Sequence, residues 1–220
     1  MLDREGHGAE AMARTAARSV ARLIVGPAGW RLVLAVVTVW LALAASATLA
    51  EVDSPPPLGS PAPNFALTTQ QNDRLWLTHL RGRAVVLAFG CTACGACPDL
   101  LPRLEELARG LGDAPGRRVF FLMVTVDPVR DTQAALREFS RARGLRAPAW
   151  LFLTEDRPGQ TEAVARRYGV TVRRAGEEVA ADCAVTLIDG DGRIRARHDV
   201  GSLSALDREL RVVLGLSASP

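Results

Sequence analysis

Three of the four cysteines in this chain, Cys91, Cys94 and Cys97, fall within one short stretch, FGCTACGACPDL (Phe89–Leu100), and the fourth, Cys183, lies far downstream. Thiols so grouped can pass electrons by disulfide exchange, hold a soft metal, or staple a small fold. A chain of 220 residues, 48% hydrophobic and 23% charged, has enough apolar material for a packed core without disulfide support, so the cysteines read as chemical rather than structural. Their spacing matches neither a secreted disulfide framework nor a paired CxxC zinc site. Cys94 and Cys97 stand at i and i+3, where a strand is expected to turn into a helix. Unpaired N–H groups and the positive dipole end there favour the thiolate, lowering its pKa from ~8.5. Such a pair can close a disulfide, or bind Cu(I) as two soft thiolates. Cys91 is also three residues from Cys94, so two CxxC pairs overlap and the pairing stays open. On its own, Cys91 reads equally as a small buried residue at a strand end.

The elements that must position these thiols alternate between apolar and amphipathic runs. RAVVLAFG (Arg83–Gly90) is too continuously apolar for a half-exposed strand and predicts a buried central one. Asp99–Leu111 places Leu100, Leu101, Leu104, Leu107, Ala108 and Leu111 at helical spacing. VFFLMVTV (Val119–Val126) predicts a second buried strand, and Asp131–Arg143 a helix with Ala135, Leu136 and Phe139 inward. Trp150–Leu153 is a further strand, Gln160–Tyr168 a helix, Ala184–Val200 a hairpin around DGDG (Asp189–Gly192), and Ser204–Leu214 a closing helix. The βαβα order implies a parallel core. The expected class is α/β, a thioredoxin-like fold with a central mixed sheet flanked by helices.

Ahead of that domain, Leu32–Ala50 is a nineteen-residue uncharged run, about the ~20 residues that span hydrocarbon. Five arginines precede it (Arg4, Arg14, Arg18, Arg22, Arg31) against three acids, which keeps residues 1–31 cytoplasmic and exports everything after Ala50. Ala45-Ser46-Ala47 and Thr48-Leu49-Ala50 are both acceptable cleavage sites, so a removed signal peptide competes with a retained anchor. The length favours one transmembrane anchor over 32–50. Residues 51–64, with five prolines, read as a stiff extended linker, and 65–220 as the folded domain. From Glu51 onward 22 arginines face 21 acids, which excludes a basic nucleic-acid surface. All 27 basic residues are arginine, which excludes a Schiff-base or P-loop lysine.

From about Gly59 to Asp199 the chain resembles the Sco/SenC family. The motifs that carry the likeness are GSPAPNFALTTQQ leading to LRGRAVVLAFG, then FGCTACGACP, VTVDPVRDT (Val124–Thr132) and LIDGDGRI (Leu187–Ile194), of which DPVRDT is the most specific. The resemblance implies a membrane-anchored thioredoxin fold that binds copper through two cysteines and a distant histidine. It also implies help in metallating or reducing the binuclear copper centre of cytochrome c oxidase. Two departures stand out. The family's cysteines are separated by three residues, whereas Cys94 and Cys97 are separated by two, and the usual preceding tyrosine is replaced by Cys91. Where the family histidine falls, VAADCAVTLID (Val179–Asp189) offers only Asp182 and Cys183.

A tight hairpin around Gly190-Asp191 puts His198 opposite Cys183, on an inner face with Val185, Leu187, Ile194 and Ala196, while Arg193, Arg195 and Arg197 point away. Cys91, Cys183 and His198 are thus candidate additional copper ligands beside Cys94 and Cys97. His198 also reads as a satisfied strand-end histidine, and Cys183 as a small core residue. His7 and His79 read as solvated. Asp131 is expected to cap the helix that follows it, Asp127 is open, and Arg130 is a candidate charge beside the thiolates. The leading expectation is an anchored Sco-like copper and thiol-redox protein at the cell membrane, its C-terminal domain periplasmic or otherwise extracytoplasmic. Its partners would be the copper-bearing subunit of cytochrome c oxidase or another exported thiol protein. The rivals are a copper-independent thiol-disulfide oxidoreductase, in which Cys94 attacks and Cys97 resolves, and a redox-sensing or partner-binding module without turnover.

Overall fold

The computed structural model describes Trp30, Leu34, Val37, Thr38 and Trp40 and residues 55–157, 159–176 and 178–216. The five isolated residues are helical, and Trp30, Leu34, Val37 and Trp40 are exposed. The rest of the expected membrane segment and of the expected cytoplasmic tail, His7 included, lies outside the described residues. No helix among the described residues is long and apolar enough to cross a membrane.

Residues from 55 onward form a seven-stranded mixed sheet with a separate two-stranded hairpin. The strands are β1 (Ala66–Thr69), β2 (Arg74–Trp76), β3 (Ala84–Gly90), β4 (Val119–Thr125), β5 (Trp150–Thr154), β8 (Val185–Ile188) and β9 (Ile194–His198), in the order β2-β1-β5-β4-β3-β8-β9. The detached hairpin is β6 (Val172–Ala175) with β7 (Glu178–Ala181). Helices α1 (Leu100–Gly110), α2 (Gln133–Ala142), α3 (Gln160–Arg167) and α4 (Leu203–Leu214) complete it. β3, β4 and β5 run parallel at the centre, as the βαβα order requires, and are closed on each side by antiparallel pairs.

The continuous apolar runs are explained by burial on both faces. In β3, Ala84, Val86 and Ala88 meet α1, α2 and α4, while Val85, Leu87 and Phe89 meet the layer of α3 and β7. β4 and β5 alternate the same way, with Phe121 and Phe152 on the first face and Leu122 and Leu153 on the second. The second face is centred on Tyr168, whose hydroxyl donates to the Pro63 carbonyl at 2.8 Å and whose ring lies between Phe65 and Phe89. Gly169, just after α3, has φ +71° and packs so closely on Pro55 that a Cβ would stand 2.6 Å from it, so only glycine fits.

Three local expectations change. Gly59–Ala62, read as linker, hydrogen-bonds to the start of β9, the Ile194 N–H donating to Ser60 and the Gly59 N–H to Ile194. α2 begins at Gln133 and is capped by Thr132, whose hydroxyl accepts from the Ala135 N–H, so Asp131 is not the cap. The β8–β9 hairpin carries a bulge: Ile188 opposes Ile194 but Leu187 opposes Ala196, leaving Arg195 unmatched. The extra residue inverts the facing of the rest of β9. Arg197 therefore points toward Tyr168, where burial lowers its pKa, instead of outward with Arg193 and Arg195.

Candidate functional site

β3 ends at Gly90, and the chain passes through consecutive turns before α1 starts at Leu100, its N-cap Asp99 making no side-chain cap. Cys94 and Cys97 thus lie in turns ahead of the helix rather than in its first turn, which weakens the dipole effect expected on their thiolates because that field fades beyond the terminal turn.

All four cysteines are joined in two disulfides. Cys94 is bonded to Cys91, with Cα atoms 5.0 Å apart, and Cys97 to Cys183, with Cα atoms 5.7 Å apart. Of the two overlapping CxxC pairs the first is closed, while Cys94 and Cys97 are not bonded to each other. The bonds lie on opposite sides of the β3 terminus. Cys91 and Cys94 pack on the α3 face, and Cys97 on the α1 face.

β7 runs across the sulfurs. Cys94 Sγ lies 3.2 Å from the Val179 carbonyl oxygen and Cys97 Sγ 3.7 Å from that of Ala181. Cys183, one residue past Asp182 in the link from β7 to β8, has its Sγ 3.4 Å from the Ala96 carbonyl. The hairpin is held down elsewhere by Arg174, which pairs with Glu162 on α3 and donates to the Val126 carbonyl at 3.2 Å.

Beneath the turn, the DPVRDT segment works as a clasp. Asp131 is 1% exposed, and its carboxylate accepts from the Thr92 N–H at 3.0 Å, the Thr92 hydroxyl, and the Thr125 hydroxyl at 2.6 Å. A buried carboxylate is tolerable only when its lone pairs are so filled. Here the filling ties the end of β4 to Thr92, the residue after Cys91. Asp127 is also buried, and the Arg130 Nε donates to it at 2.6 Å. The sequence pointed to this motif but not to its use. Asp131 and Thr132 are adjacent capping types, and only the tertiary placement of Thr92 separates their roles.

Between the disulfides and the sheet lies a mainly apolar cavity of about 60 Å³, lined by Cys91, Cys94 and Cys97 with Met123 and Asp131. His198 is not among its lining residues. Its partner across the hairpin is Val185 and not Cys183, because the turn pairs Asp189 with Arg193, one residue beyond the expected register, and the bulge adds one more. Its side chain is 8% exposed, with Nε2 2.9 Å from a Glu209 carboxylate oxygen on α4. His79 lies in a 3-10 turn (Leu77–Leu80), exposed.

Among the described residues no three His, Cys, Asp or Glu side chains stand as a ready metal cluster. Every cysteine sulfur is committed to a disulfide, and it is the thiolate that binds metal. Once reduced, the donors at this end of β3 are soft sulfurs, the type that selects Cu(I).

A family model described as SCO1/SenC matches residues 56–205. Over 115 residues the chain is 30% identical to the mitochondrial Protein SCO1 homolog 1 of Arabidopsis thaliana, covering 52% of this chain and 33% of that protein. The chain thus spans 23–35% of the length of the curated relatives it matches. Among solved structures it is similar to Arabidopsis thaliana ScoI with copper bound, at 26% identity and TM-score 0.58 over 70% of this chain and 99% of that one. BsSco, described as a Sco-family cytochrome c oxidase assembly protein with a disulfide switch, shares the fold at TM-score 0.62 and 21% identity over 73% of this chain and 97% of that one.

Proposed function

This chain belongs to the SCO1/SenC family, and on that premise we propose that it is an exported, membrane-anchored copper-binding and thiol-redox protein that serves assembly of the copper centre of cytochrome c oxidase. The observation that carries the reading is the gathering of four cysteines at the end of β3, over a cavity lined by three of them. Copper supplies the cargo. Cys94 and Cys97 are the residues that would hold it once reduced. Reduction of both disulfides consumes four electrons and four protons, supplied by two equivalents of a dithiol reductant, and yields four thiols. Asp131, through Thr92, keeps the first pair in place while its bond opens and closes.

Export is supported by the pairing of every cysteine, since such bonds persist in oxidising compartments. The arginine-flanked apolar run at 32–50 and its exposed helical Leu34, Val37 and Trp40 support an anchor.

The two disulfides also support a second reading, thiol-disulfide exchange without copper. A thiolate of this chain attacks a partner disulfide, the mixed disulfide is resolved by the bonded neighbour, Cys91 for Cys94 or Cys183 for Cys97, and the partner leaves with two thiols. A Cu(I) titration of the fully reduced chain against a competing chelator, with thiol counts before and after, separates the two. Stoichiometric binding that protects Cys94 and Cys97 supports copper handling. Weak binding with ready disulfide cycling overturns it in favour of exchange.

A further inference from the structure

Met123 is the single residue of β4 that is not fully buried, although β4 lies at the centre of the seven-stranded sheet. It projects on the α1 and α2 face, as Cys97 does. Gly90, which pairs with Thr125 at the end of β3, has no side chain, and a Cβ placed on it would come 3.6 Å from Met123 Sδ. The thioether sulfur therefore lies directly under the residue that precedes Cys91, and it lines the same cavity as Cys91, Cys94 and Cys97.

We propose that Met123 is a neutral thioether ligand that completes the Cu(I) site formed when the disulfides are reduced. The inference rests on the copper reading above and names the donor that takes the place of the missing histidine. Thioether sulfur is a soft donor suited to Cu(I). Charge favours it over a third thiolate. Two thiolates on Cu(I) leave one net negative charge, and a third would leave two, in a cavity walled by Leu100, Leu136, Phe139 and Phe152 that already holds the buried Asp131 carboxylate. Uncompensated charge in such surroundings is costly, and a thioether adds none. The proton balance follows. Two thiols lose two protons as Cu(I) binds, and Met123 releases none. An all-sulfur set of this kind holds Cu(I) in preference to Cu(II).

Met1, Met12 and Met123 are the only methionines in the chain, so selenium can report on the site. The full chain, labelled with selenomethionine, held in detergent and reduced with a phosphine, is loaded with Cu(I) in competition with a chelator and measured by selenium-edge X-ray absorption. Copper scattering at selenium is expected in the wild type and absent in Met123→Leu, with two protons released per copper. Met123→Leu keeps the side-chain volume, and a count of four thiols with unchanged circular dichroism shows that it folds. Its Cu(I) affinity should fall at least about tenfold, the scale on which even outer-shell changes weaken metal sites. Copper bound by the wild type without selenium–copper scattering, with three protons released, or with equal affinity in Met123→Leu overturns the assignment while leaving the copper function standing. Absence of any copper binding by the reduced wild type overturns both.

Discussion

Replacing Cys97 and Cys183 together by serine should destabilise the oxidised protein far more than replacing Cys91 and Cys94 together. The reason is loop length. Cys97 and Cys183 lie 86 residues apart in sequence and Cys91 and Cys94 only three. Closing a loop of the first size removes about 4.6 kcal/mol of chain entropy from the unfolded ensemble, and of the second about 1.6 kcal/mol. The long bond also fixes the end of the β6–β7 hairpin to the turn over the cavity. For a domain of this size, ~2–4 °C per kcal/mol converts the losses into a fall of about 9–18 °C for the Cys97/Cys183 double variant and about 3–6 °C for the Cys91/Cys94 one. The assay is thermal unfolding of the oxidised full chain and both double variants in detergent, followed by near-ultraviolet circular dichroism, with and without reductant. Reductant should bring the wild type below both variants and lower Cys91→Ser/Cys94→Ser more than Cys97→Ser/Cys183→Ser, because only the former still has the long loop to lose. Equal losses in the two double variants would refute the pairing, as would a smaller loss for the long loop.

Asp131→Ala should cost about 3 kcal/mol, because it strands the donors of Thr92 and Thr125, and should speed reduction of the Cys91–Cys94 bond. Thr132→Ala, which removes only the α2 cap, should cost about 1 kcal/mol and leave that rate unchanged, both read by timed thiol alkylation. Burial raises the pKa of Tyr168, the only tyrosine, far above its ordinary ~10. The folded state thus holds a proton that the unfolded state loses. Its contribution is complete below pH ~10 and is lost as pH rises from there toward the folded value. Tyrosinate absorbance should appear only with unfolding, and Tyr168→Phe should flatten the alkaline decline. His198→Ala should lower stability by about 1 kcal/mol through loss of the Glu209 contact, with Cu(I) affinity of the reduced chain unchanged. A drop in that affinity would return His198 to the site.

The central strands and their helices are legible because burial on both faces forces uninterrupted apolar runs such as VVLAF in β3 and VFFL in β4, and because α1 and α4 space their leucines at a helical period. β1 with β2 and β6 with β7 are not legible. Their strands are three or four residues long, and segments such as RLW and VRRA are half exposed and carry little alternation. The cysteine pairing escapes the sequence for a different reason. Cys94 is equidistant in number from Cys91 and Cys97, and the approach of Cys183 is a tertiary event made by β7. Nor does any residue type announce the longer turn that pairs Asp189 with Arg193 or the bulge at Arg195, yet the two together move His198 from opposite Cys183 to opposite Val185.

The two disulfides make the chain a counter of reducing equivalents. A single dithiol encounter opens one bond and leaves one residue of the Cys94 and Cys97 pair still locked to its neighbour. Only a second encounter frees both. If the bonds titrate independently, then at the potential where each is half open only about a quarter of the molecules carry all four thiols. The fraction with all four thiols free therefore climbs more steeply with reducing power than either bond does alone.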